Sequence, residues 1–144
     1  MRTNRIVLHV VAITAALHYA AVANAQTKEE VYAYIIQCGI KHPEVVMRQC
    51  LLETGHLKSP YLMKRNNLFA FRVTEEYMKF AHWKESVQYY KRWQLRHYKN
   101  HKEGYYAFLK RIKYSEAGHY LEVLRKVKVP STAFYDLAET AYIP

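Results

Sequence analysis

Glycine and proline are so sparse in this chain that their positions dictate where its elements can end. There are 4 of each in 144 residues. Both are strong local breakers, and here they fall between stretches whose apolar residues recur three and four apart. Val31, Tyr34, Ile35 and Cys38 make one such stripe over 29–38, and Gly39 stops it. Pro43 and Glu44 suit the first turn of a second helix. Proline gives up only an N–H that has no partner there, and the carboxylate meets the positive end of the dipole. Val46, Met47, Cys50 and Leu51 are its inward face, and Gly55 ends it. Residues 56–68 read as a loop, with Ser59-Pro60 and Asn66-Asn67 as turn signals. Leu68 to Phe80 alternates weakly, the pattern of a short hairpin. Glu85 to about Lys99 is helical, with Val87, Tyr90 and Trp93 or Gln94 inward. Two short helices follow, Tyr105–Ile112 behind Gly104 and His119–Val127 before Pro130. The second places Tyr120, Leu121, Leu124 and Val127 inside, and the tail from Ser131 offers Phe134, Leu137 and Tyr142 for packing. The expected architecture is one mainly α domain without repeats.

Hydrophobic residues make up 51% of the chain, enough for one core and too many for wholesale disorder. Two cysteines exclude a dense disulfide scaffold and a four-cysteine zinc module. Fourteen Tyr, 5 Phe and 2 Trp can serve as sugar platforms or as core filler. At the start, Arg2 and Arg5 precede an apolar stretch from Ile6 to Val22, then Ala23-Asn24-Ala25 and polar Gln26. This reads as a signal peptide over 1–25, cut after Ala25, leaving a domain of 26–144 that is secreted or periplasmic. A membrane anchor is disfavoured, because His9 and His18 interrupt the run and no strong stop-transfer flank follows. Export allows a disulfide between Cys38 and Cys50, but two small buried hydrophobes is the preferred reading. Loss of Arg2 and Arg5 would lower the net charge from +10 to +8. A basic exported domain suggests an anionic partner such as cell-wall polymer, nucleic acid or a membrane surface, with solubility alone as the plain alternative.

Glu53 stands apart from the other acids. It follows Val46 by seven residues and Cys50 by three, so it shares their apolar face in the last turn before Gly55. Desolvation and the negative helix end both disfavour its anion there. Both raise the pKa, as a general acid requires. A helix-end glutamate turned to solvent is the ordinary alternative.

The surroundings of Glu53 carry a pattern. Gln49-Cys50-Leu51-Leu52-Glu53-Thr54-Gly55-His56 is followed by Ser59 and then Asn66-Asn67-Leu68-Phe69-Ala70-Phe71. Further on come Phe80-Ala81-His82-Trp83-Lys84-Glu85-Ser86-Val87 and Tyr114-Ser115-Glu116-Ala117-Gly118-His119-Tyr120. In this order the four pieces resemble glycoside hydrolase family 73, secreted glucosaminidases that cut bacterial cell-wall glycan. The resemblance spans roughly residues 31–127. It implies a lysozyme-like, mainly α fold with a reduced β lobe beside a groove. It also implies hydrolysis of the β-1,4-linked N-acetylglucosamine–N-acetylmuramic acid strand of peptidoglycan. Glu53 would protonate the leaving oxygen. Tyr114 would line the cleft opposite it, and Asn67 and Phe69 would support the cleft. For Asn67 turn chemistry, and for Phe69 core packing, explain the residue equally well.

The family's second acid lies in the β lobe, which shrinks here to Arg72–Lys79. Glu75 and Glu76 are the acids in it, and both suit a solvated turn as well as a catalytic role. Glu85 more naturally opens a helix. A route without a second protein acid also exists, in which the substrate's 2-acetamido group attacks the anomeric carbon and Tyr77 or Tyr114 orients it. Ala70 stands where the family has glycine, a departure that matters only if the position needs a positive φ.

Rival patterns are weaker. Glu53–His56 and Glu116–His119 are two Glu-x-x-His units of the kind di-iron bundles use, but Gly55 and Gly118 interrupt the helices such units need. His-Glu-x-x-His is absent. The basic, aromatic run Lys91–Lys102 fits the solvent face of an amphipathic helix better than a nucleic-acid surface. The expectation is therefore a monomeric, cofactor-free and metal-free glycan hydrolase. It needs no nucleic acid and no stable membrane anchor. The alternative from another class is a glycan-binding module of the same fold that no longer cuts.

Overall fold

A computed structural model describes residues 26–131. The expected signal segment, and the packing expected of Phe134, Leu137 and Tyr142, lie outside the described residues.

Helix α1, Lys28–Gln37, opens with a reciprocal cap. The Thr27 hydroxyl accepts the Glu30 N–H at 3.1 Å, and the Glu30 carboxylate accepts the Thr27 N–H at 2.7 Å. Helix α2, Pro43–Glu53, carries Pro43 in its first turn and ends against Gly55, whose φ is +56°. There the Gly55 N–H donates to Leu52 O at 3.4 Å and the His56 N–H to Leu51 O at 2.7 Å. These two bonds satisfy carbonyls that a helix end otherwise leaves open, and glycine adopts the left-handed turn without strain. Thr54 fixes the same turn from inside. Its hydroxyl donates to Cys50 O at 2.7 Å and accepts the Leu57 N–H at 2.9 Å. The direction in which Glu53 leaves its helix is thus set by neighbours in sequence.

The stretch expected as a loop contains one turn of helix, α3, Pro60–Met63, capped by Ser59 with Pro60 in the first turn. The expected hairpin is present as β1, Arg72–Val73, and β2, Glu76–Tyr77, antiparallel with Arg72 opposite Tyr77 and Val73 opposite Glu76. Helix α4 runs Trp83–His97, two residues ahead of the expected start. His82 caps it, its Nδ1 accepting the Lys84 N–H at 3.2 Å, and Glu85 accepts the Ala81 N–H at 3.1 Å. Helices α5, Tyr105–Arg111, and α6, Tyr120–Lys126, complete the described chain.

α1 packs on α2 and α4, and α2 packs on α6. Between them Val31, Ile35, Val46, Met47, Cys50, Leu51, Leu68, Val87, Tyr90, Phe108 and Leu124 are fully buried. Each such aliphatic or aromatic side chain contributes about 1.5–3 kcal/mol. Both cysteines are free thiols, Cys50 in this core and Cys38 at its margin. Burial, with Glu53 nearby, pushes the Cys50 thiol far up, so it acts as a small hydrophobe. The result is the mainly α, lysozyme-like arrangement with a two-stranded lobe at its side. Among the described residues no helix is long and apolar enough to cross a membrane.

Candidate active site

Between the hairpin and the helices lies an open cleft of about 630 Å³, within the range of small-molecule sites. Glu53 enters it from the end of α2. Phe69 to Arg72 and Tyr77 form the lobe side, Trp93 and His97 the α4 side, and Ile112 with Tyr114 to Ala117 the far side.

Glu53 is half-buried, and burial raises its carboxyl above the ordinary glutamate range. Two smaller effects oppose this, the hydrogen bond from Tyr120 and the positive charge of Arg72. The Tyr120 hydroxyl donates to Glu53 Oε1 at 2.9 Å. Burial and the Glu53 charge push the Tyr120 hydroxyl well up, so it stays a donor across the neutral range. With Oε1 occupied, a proton on this carboxyl sits on Oε2.

Behind the pair runs a buried ladder of polar side chains. Lys41 holds Gln94 in place, since its N–H donates to Gln94 Oε1 at 2.8 Å and its carbonyl accepts from Gln94 Nε2 at 2.8 Å. Gln94 Nε2 also donates to the Tyr105 hydroxyl at 3.0 Å. Tyr105 and Tyr90 share a hydrogen bond of 2.7 Å, and Tyr90 donates to Gln49 Oε1 at 2.6 Å. Because Tyr90 gives its hydrogen to Gln49, Tyr105 is the donor to Tyr90. Burial lifts the Tyr105 hydroxyl to about 12, which keeps that donor protonated. Among the described residues the ladder stops at Gln49, whose Nε2 is buried without a hydrogen-bond partner.

Aromatic rings make the walls. Tyr114 meets Trp93 edge-on at 5.6 Å and tilts against Tyr120 at 5.8 Å. Phe69 packs on Tyr90 at 4.5 Å. Arg72 bonds the Tyr77 hydroxyl and lies over the Tyr77 ring at 4.2 Å. Burial pushes the Tyr114 hydroxyl well above its usual value.

The structure brings Glu53, Phe69, Tyr77 and Tyr114 together in the cleft. It does not bring Glu75 or Glu76 there. Both are exposed at the hairpin, and neither lines the cleft. The cause is the tight turn, where Thr74 takes a φ of +54° and only two residues separate the strands. Asn67 is fully buried outside the cleft and works as a bracket. Its Nδ2 donates to Phe71 O at 2.9 Å and Met78 O at 3.0 Å, while its Oδ1 accepts the Phe71 N–H at 3.0 Å. Phe69 is both core and cleft floor, at 2% exposure. Ala70 adopts a φ of +53°, so the position does need the left-handed region. The sequence alone does not mark Tyr120, Trp93 or His97 as cleft or acid partners. Tyr120 has the spacing of a core residue, and nothing local reveals a partner 67 residues away. The four-residue spacing of Trp93 and His97 on α4 was the available signal for the other two. The basic run divides as expected of an amphipathic helix, with Arg92, Leu95, Arg96 and Lys99 exposed and Gln94 and Tyr98 buried.

Among the described residues no group of three His, Cys, Asp or Glu side chains is placed to hold a metal ion. No curated protein and no solved structure matches this chain. One family model does, Glucosaminidase, described as mannosyl-glycoprotein endo-beta-N-acetylglucosaminidase, over residues 18–136. That match covers most of the chain, and the chain belongs to this family of peptidoglycan-hydrolysing glucosaminidases, glycoside hydrolase family 73.

Proposed function

We propose that this protein is an exported endo-β-N-acetylglucosaminidase that hydrolyses β-1,4 bonds of peptidoglycan, with Glu53 as general acid. The observation that carries this reading is a carboxyl held at the wall of an aromatic cleft by Tyr120 and raised by burial. The glycan strand would lie along the rings of Phe71, Tyr77, Trp93 and Tyr114, with the scissile oxygen toward Glu53. Apolar sugar faces stack on such rings, while the rim stays wet. Glu53 Oε2 then passes its proton to the leaving oxygen as the bond to the anomeric carbon breaks. Tyr120 stabilises the carboxylate left behind, and Arg72 adds a positive charge at the same wall. Proton transfer by a placed acid accelerates such reactions by roughly 10²–10⁴-fold. Cleavage of the leader after Ala25 would release the domain outside the cytoplasm.

The test is digestion of purified peptidoglycan with mass analysis of the fragments. The reading expects new N-acetylglucosamine reducing ends. Muramic acid reducing ends would contradict it. The exposure of Glu75 and Glu76 away from the cleft favours one second reading, a binding module. That reading expects co-sedimentation with the wall and no new reducing ends.

A further inference from the structure

We propose that Glu116 is the second carboxylate of this site, the base that takes a proton from the attacking water. This rests on the hydrolase reading above. Among the described residues the cleft walls carry two carboxylates, Glu53 and Glu116. They come from separate elements, the end of α2 and the connection between α5 and α6. That connection is pinned. The Tyr114 N–H donates to Leu109 O at 3.1 Å, and the Tyr120 N–H donates to Ala117 O at 3.0 Å. Around Glu116 itself, Ser115 Oγ accepts the Ala117 N–H at 3.2 Å. Tyr120, which closes the connection, also holds Glu53. One short segment therefore sets both the second carboxylate and the partner of the acid.

Other glutamates are engaged by the fold. Glu44, Glu103 and Glu122 pair with Arg48, Arg111 and Lys126, and Glu30 and Glu85 accept backbone N–H groups. The Glu116 side chain makes no hydrogen bond or ion pair among the described residues, and it is exposed in the cleft, where water reaches it. A base for hydrolysis needs both properties: acceptor oxygens free for water and contact with solvent.

The step balances. The water oxygen forms a bond to the anomeric carbon as that carbon's bond to the glycosidic oxygen breaks. Glu116 takes one proton from the water, and Glu53 gives one to the leaving oxygen. Glu53 ends ionised and Glu116 protonated, and exchange with solvent resets both. Water enters opposite the leaving group, so a β bond yields an α product.

The experiment compares the full chain with its Glu116→Gln variant on purified peptidoglycan, following turnover, wall co-sedimentation and the first-formed anomer by NMR. Glu116 is exposed, so the variant leaves the packed core untouched, and circular dichroism checks its fold. The proposal expects kcat to fall by roughly 10²–10³-fold, with co-sedimentation unchanged, an α first product from the wild type, and partial rescue of Glu116→Ala by azide. Turnover of Glu116→Gln within a few-fold of wild type overturns the proposal while leaving the hydrolase reading standing. So does a β first product, or a comparable loss in Glu75→Gln/Glu76→Gln with Glu116→Gln active. No reducing ends from the wild type overturns the hydrolase reading and this assignment together.

Discussion

Ala70 holds a backbone conformation that glycine adopts freely. At its φ of +53° the methyl group crowds the following carbonyl, a cost of about 1–2 kcal/mol. Glycine removes that crowding but has more freedom to lose on folding. Ala70→Gly should therefore stabilise the protein by a net of about 0.5–1 kcal/mol in urea unfolding. At Glu53 the sign runs through the proton. A general acid must be protonated, so activity is lost as pH rises through its pKa. The Tyr120 hydrogen bond favours the carboxylate and restrains the rise that burial causes. In Tyr120→Phe the Glu53 pKa should climb further, and the alkaline limb of the kcat/KM profile should move to higher pH. A loss of rate with the limb unmoved would mean Tyr120 only packs. Glu53 was legible from sequence because its spacing from Val46 and Cys50 fixes its face. The stripe of α6 places Tyr120 in the core, because a helical stripe reports a face and not what a hydroxyl reaches.

The elements of the β lobe are held by side chains more than by their own ladder. The hairpin has only two residues in each strand, too few to stand alone. Asn67 brackets it, and Asn66 does the same further along, its Nδ2 donating to Phe80 O at 3.0 Å and Ala81 O at 3.1 Å. Asn67→Ala would leave the half-buried Phe71 N–H and Met78 carbonyl without the Asn67 side chain, at up to about 1–3 kcal/mol for each group left unpaired. Thermal unfolding should show that loss. Activity should fall as well, because the lobe carries Arg72 and Tyr77 into the cleft. The hairpin and the approximate places of five of the six helices were readable, since turn chemistry and apolar spacing act locally. The single turn α3 was not, because four residues carry no period. The early start of α4 was hidden too, because histidine is an uncommon cap.

At the scale of the whole molecule the decisive quantity is charge. The full chain carries +10, and most of the basic helix α4 that is not core or cleft faces solvent. Attraction to an acidic wall polymer should weaken as salt shortens the Debye length from about 10 Å at 0.1 M to about 3 Å at 1 M. Co-sedimentation with peptidoglycan should therefore drop steeply between those concentrations. Binding that stays flat would point to stacking in the cleft as the whole of the affinity. The fold class was legible because glycine and proline cut the chain where helices end. The cleft was legible only in part, because its walls join α2, α4 and the α5–α6 connection across long separations. The central claim is that Glu53 supplies the proton. Reducing-end release from purified peptidoglycan, measured for the wild type beside Glu53→Gln, tests it most directly. Glutamine keeps the shape and the acceptor for Tyr120 but has no proton to give. The account predicts clear release by the wild type and a loss of roughly 10²–10⁴-fold in the variant, with wall binding retained. A variant that still cuts at the wild-type rate would contradict it.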